Sequence, residues 1–104
     1  MENLNHPENN KYQVIIYFEN DDQFLDHFPT HKEYFDNLIE KGVIDYFTIS
    51  LESNRCWIVF TALNKIEVSN YLQFTLSNKL WTVEIEELYV YESQHYRLPA
   101  LQLN

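Results

Sequence analysis

V-I-D-Y-F-T-I-S (Val43–Ser50), L-E-S-N (Leu51–Asn54) and R-C-W-I-V-F-T-A (Arg55–Ala62) read as two β-strands joined by a polar turn. Both runs are rich in β-branched and aromatic residues, and the turn between them is short and polar. In the second run Cys56, Ile58 and Phe60 alternate with Trp57 and Val59, so both faces of that strand are apolar. A strand covered on both faces sits in the middle of a sheet rather than at its edge.

Outward from this hairpin, each side carries a helix and then another strand. On the N-terminal side, T-H-K-E (Thr30–Glu33) has the form of a capping box. Phe35, Leu38 and Ile39 follow at helical spacing, Lys41 suits the last turn, and Gly42, the one glycine in the chain, suits the left-handed residue that ends a helix. The spacing predicts a helix over 30–41. Ahead of it, Phe24, Leu25 and Phe28 suggest a short helical turn that Pro29 closes, and E-N-D-D (Glu19–Asp22) breaks the preceding strand. That strand is Y-Q-V-I-I-Y-F (Tyr12–Phe18), again apolar on both sides. On the C-terminal side, N-K-I-E (Asn64–Glu67) is a second capping signal, and Val68, Leu72 and Leu76 extend the helix towards Ser77-Asn78. The last strand is read as Leu80–Glu92, with Trp81, Val83 and Ile85 on one side and Thr82, Glu84, Glu86 and Leu88 on the other. Its apolar positions switch parity after Glu86-Glu87, which signals a bulge or a change of surface.

Composition sets the outer bounds. The chain of 104 residues is one domain's worth, with a flexible start over 1–10, a folded unit over 11–93, and a leucine-bearing tail over 94–104 that docks on the domain or on a partner subunit. Sixteen acidic against seven basic residues give a net charge of −9, which disfavours nucleic acid and anionic membrane surfaces. One cysteine builds no disulfide framework and fits a reducing, cytoplasmic location. No apolar run is long enough to span a bilayer, and the polar start is no signal peptide.

The order βαββαβ is the split βαβ arrangement of an α+β domain. Right-handed crossovers place both helices on one face of a four-stranded antiparallel sheet. The other face then stays open, although the first and third strands are apolar there too. The remedy expected from the sequence is a homodimer with sheets packed face to face.

The run from Phe28 to Glu92 resembles the muconolactone-isomerase-like branch of the dimeric α+β barrels. The matching stretches are F-P-T-H-K-E-Y-F-D-N-L-I-E-K-G-V-I, R-C-W-I-V-F-T-A, N-K-I-E-V-S-N-Y-L and W-T-V-E-I-E-E-L. The resemblance implies a ferredoxin-like subunit, a barrel-forming dimer or larger ring, and cofactor-free proton transfer on small lactones, with Glu84 at the acidic position of the last strand. Two departures stand out. V-I-D-Y-F after the glycine carries no basic residue, and Ser77-Asn78-Lys79-Leu80 replaces a Pro-Leu pair.

Candidate chemistry is sparse. Glu84 and Glu86 share a strand face about 7 Å apart. If that face is a barrel interior, one of them becomes a proton acceptor; at a wet rim they are solubilising charges. His31, at the start of the predicted helix, is a second candidate base. His27 and His31 are four apart, but Pro29 breaks the register and no third ligand is in view, so no metal site is expected. Tyr17, Tyr46, Ser50 and Trp57 are expected to line a cavity between helices and sheet, as hydroxyl donors among apolar walls, or else to be core or interface. Arg55 either holds a ligand carboxylate or answers Glu52 across the turn. The chain carries no phosphate loop, nucleophile elbow or CxxC pair. Two functions stay open: a cofactor-free isomerase-like enzyme drawing its acid and base from Glu84 and His31, and a non-catalytic ligand-binding or assembly domain.

Overall fold

The computed structural model describes residues 10–18, 22–73 and 81–92, with backbone alone at 22–25 and 27. Its elements run β1 (Asn10–Tyr17), α1 (Asp22–Glu40), β2 (Ile44–Ser50), β3 (Arg55–Ala62), α2 (Lys65–Tyr71) and β4 (Thr82–Glu87). The strands form one four-stranded antiparallel sheet in the order β2-β3-β1-β4. This is the ferredoxin-like βαββαβ arrangement expected from the element order.

Strand parity sorts the sheet into two faces. Val14 pairs with Ile58 on β3 and Ile85 on β4, and Ile16 pairs with Cys56 and Val83. These residues join Phe35 and Leu38 of α1 and Val68 and Leu72 of α2 in one core. The helices therefore cover this face, and Trp57, Val59 and their neighbours point the other way.

The helix ends follow local chemistry. Asn64 caps α2 by accepting from the Glu67 amide at 2.9 Å, while Glu67 Oε1 accepts from the Leu63 amide at 2.7 Å. The first bond is the cap that N-K-I-E predicts; the return bond from Glu67 reaches Leu63, one residue ahead of the cap, instead of the Asn64 amide of a capping box. At the end of α1, Gly42 has φ 78°, its amide donates to Ile39, and the Val43 amide donates to Leu38. Those two bonds form a Schellman motif, which needs a left-handed residue at the glycine position. In the β2–β3 turn the Ser53 amide donates to Ser50 Oγ, and Asn54 takes the left-handed conformation at φ 57°.

Several element boundaries depart from the sequence reading, α2 closing at Tyr71 with Leu72 as its C-cap and β1 opening at Asn10, and two departures bear on the argument. First, α1 runs unbroken through Pro29, so Thr30 lies inside the helix and caps nothing. The helix survives because its inward stripe is continuous across the proline: Phe28 and His31 line the α1–sheet gap, and Phe35 and Leu38 continue into the core. Pro29 itself is exposed. Second, β4 stops at Glu87, where the apolar parity switches, rather than continuing to Glu92. The Leu88 amide still bonds to the Lys11 carbonyl at 2.9 Å, after which the chain leaves the ladder. The tails expected at 1–10 and 94–104, Leu76 and the Ser77-Asn78 stop lie outside the described residues, Asn10 excepted.

No helix among the described residues is long and apolar enough to cross a membrane.

Candidate functional site

The face turned away from the helices gathers most of the polar side chains singled out above. Tyr17 stands opposite Arg55 on β3 and Thr82 on β4, and Arg55 stands opposite Ser50 on β2. Ile15 lies between Trp57 and Glu84, and Gln13 between Val59 and Glu86, with Tyr46 beyond Val59. Seven candidates thus share one surface: Tyr17, Tyr46, Ser50, Arg55, Trp57, Glu84 and Glu86. The cavity expected for Tyr17, Tyr46, Ser50 and Trp57 between helices and sheet is not where they lie. Parity turns all of them to the opposite face.

A short polar chain crosses this face. The Tyr17 hydroxyl donates to Glu84 Oε1 at 3.2 Å, and the Arg55 guanidinium sits 5.0 Å from the Tyr17 ring centroid. Stacking on a ring orients the guanidinium while leaving its N–H groups available to a ligand. Glu84 and Glu86 are both exposed in the single chain.

At the other end of the same face lies a cluster that the sequence reading missed. Lys11 Nζ donates to Asp45 Oδ2 at 2.8 Å and to Thr61 Oγ1 at 2.6 Å, and the Thr61 hydroxyl is 3.3 Å from Asp45 Oδ1. Lys11 is buried, and Asp45 and Thr61 are among the partners that make a buried charge tolerable there. Asp45 reaches it through a β-bulge: Ile44 pairs with Phe60 and Tyr46 with Val59, leaving Asp45 as the extra residue. The break in alternation at I-D-Y is the one sequence signal that pointed there.

His31 lies on the helix side. Its ring is 5.2 Å from that of Trp81 and 6.4 Å from that of Phe35. With Ile16, Ile49 and Cys56 these residues enclose a gap of about 10 Å³, room for a water at most. The sheet separates His31 from Glu84, so the two do not form one site. Burial pushes the Cys56 thiol in the same gap up to about 12, which keeps it protonated and unreactive near neutral pH. Among the described residues no group of three His, Cys, Asp or Glu is placed to hold a metal ion.

No protein-family model matches the chain, and no curated protein matches it.

Proposed function

We propose that the chain is one half of a face-to-face homodimer, and that the second face carries a cofactor-free proton-transfer site for a small molecule. The support is the gathering of Tyr17, Arg55, Trp57, Glu84 and Glu86 on one face that neither helix covers, together with the 3.2 Å bond from Tyr17 to Glu84. A second copy on this face would bury Ile15 and Trp57 and take bulk water away from Glu84. In such a site Glu84 removes a proton from the carbon next to a carbonyl and returns it to another carbon of the same molecule. Tyr17 holds the carboxylate in place, and Arg55 offers a charged fork to an acidic group on the ligand. The resemblance to the muconolactone-isomerase-like proteins supplies the substrate class, a small unsaturated lactone. A larger ring built from such dimers is compatible with the same face.

The test has two arms. Sedimentation equilibrium at micromolar concentration is expected to return twice the chain mass. Incubation of a small unsaturated lactone in deuterated water is expected to show deuterium uptake that Glu84→Gln abolishes. A single-chain mass together with no uptake would remove the reading.

One observation favours a non-catalytic reading of the same face. The gap between α1 and the sheet is filled, and in the single chain Glu84 stands in solvent. Dimerisation without deuterium uptake would select an assembly or ligand-holding domain.

A further inference from the structure

Val59 presents a contradiction that points to a regulatory contact. It lies on the second face, between Gln13 of β1 and Tyr46 of β2, where neither α1 nor α2 reaches. Its relative exposure is nevertheless 1%, and it stands outside the core formed with the helices. The neighbours on this face, Tyr46, Trp57 and Gln13, themselves stay partly exposed, so burial this thorough points to chain lying over Val59. Among the described residues the segment after β4 is the one seen to arrive there. Leu88 stays bonded to the Lys11 carbonyl, and the Tyr91 ring then lies 5.4 Å from Lys11 Nζ, on the second face. Leu88 and Tyr91 are half-buried, whereas Tyr89 and Val90 point outwards, Tyr89 with 82% of its surface exposed.

We propose that Leu88–Glu92 is a strap folded over the Lys11–Val59 end of the second face, and that it gates access to that end. Its clasp is the Tyr91 ring on the Lys11 ammonium. Asp45 and Thr61 fix that ammonium from below, so the cation is presented at a set position rather than at the end of a freely rotating stem. The strap closes one end of the face and leaves the Tyr17–Arg55–Glu84 end open. A ligand or a second copy that used the whole face would have to lift it. That gating role rests on the function proposed above; the strap itself does not.

The test reads the accessibility of position 59. In a Cys56→Ser background, the thiol introduced by Val59→Cys is labelled with a water-soluble maleimide, with Tyr91 intact, with Tyr91→Phe and with Tyr91→Ala. Tyr91→Phe keeps the ring and is expected to label as slowly as the parent. Tyr91→Ala is expected to label at least tenfold faster. Equal rates for Tyr91→Phe and Tyr91→Ala would overturn the strap. Dilution separates the two readings: protection by a second copy falls on dilution and ignores position 91, whereas protection by the strap is independent of concentration. Circular dichroism checks that each variant is folded. Should the replacement at position 59 unfold the chain, hydrogen exchange in the otherwise unaltered protein reads the same contact. Tyr91→Ala is then expected to lower protection of the Leu88 amide at least tenfold, and unchanged protection would overturn the strap.

Discussion

The Tyr17 hydroxyl donates to Glu84 Oε1 across the β1–β4 pair, on the same sheet face as Arg55, whose guanidinium lies on the Tyr17 ring. Three strands thus contribute one residue each to a continuous polar line. The line is exposed, so it adds little to folding and is free to serve a ligand.

Function and stability should therefore separate at this position. Tyr17→Phe and Glu84→Gln are expected to change unfolding free energy by less than about 1 kcal/mol, because exposed hydrogen bonds contribute little net stability. Urea unfolding checks this. A loss above about 2 kcal/mol would mean that the pair is a structural tie rather than a site.

Asp45 should behave in the opposite way. Truncating it removes the carboxylate that faces the buried Lys11 ammonium in this cluster and leaves Thr61 as the hydrogen-bond acceptor there. Asp45→Ala is expected to cost about 2–4 kcal/mol in urea unfolding, because it removes one partner of a buried ion pair. Replacing both groups, Lys11→Met with Asp45→Ala, is expected to recover a large part of that loss. A double variant as unstable as Asp45→Ala alone would show that the cluster does more than balance its own charge.

Sequence pattern carried the elements well wherever a local rule acts. Asn64 with Glu67, Gly42 after α1, and the turn before Arg55 are each set by a few neighbouring residues, and each appears as expected. Alternation along β1 and β3 also told which residues share a face. It could not tell which of two apolar faces the helices would choose, and so Tyr17 and Trp57 fell on the side opposite to the one expected. The Lys11–Asp45–Thr61 cluster was hidden for a different reason. Its members come from three strands, and the bulge that aims Asp45 exists only once β2 is in register with β3. The contact of Tyr91 with Lys11 is likewise long-range and leaves no spacing to read.

Pro29 shows the limit of a local rule most plainly. A proline in a helix interior removes one hydrogen bond and crowds the carbonyl four residues back, at a cost of about 3 kcal/mol. The helix runs through it because Phe28, His31, Phe35 and Leu38 bind one continuous stripe to the sheet. The cost should still be recoverable. Pro29→Ala is expected to raise stability by about 1–2 kcal/mol, the restored helical bond being partly offset by the greater freedom of the unfolded chain. Urea unfolding measures it, and a destabilised variant would show that the proline is needed for the path of α1.

Alkaline pH should weaken the fold through buried protons. Burial raises the Cys56 thiol from 9.0 to about 12, and Tyr34 is raised as well, first by burial and then by Tyr71 nearby. Tyr34 donates to the Tyr71 carbonyl at 2.7 Å, so its proton joins α1 to the end of α2. Between pH 9 and about 12 the unfolded chain releases the Cys56 proton while the folded chain keeps it. The folded state then binds more protons, and stability falls as pH rises through that window. Below pH 9 both states hold the thiol proton and its contribution is constant. Unfolding midpoints measured from pH 7 to pH 11 are expected to stay level at first and then drop. Cys56→Ala is expected to lower stability at neutral pH through the lost packing and to make the alkaline decline shallower. A decline identical in slope for Cys56→Ala and the parent would assign the alkaline loss to the tyrosines alone.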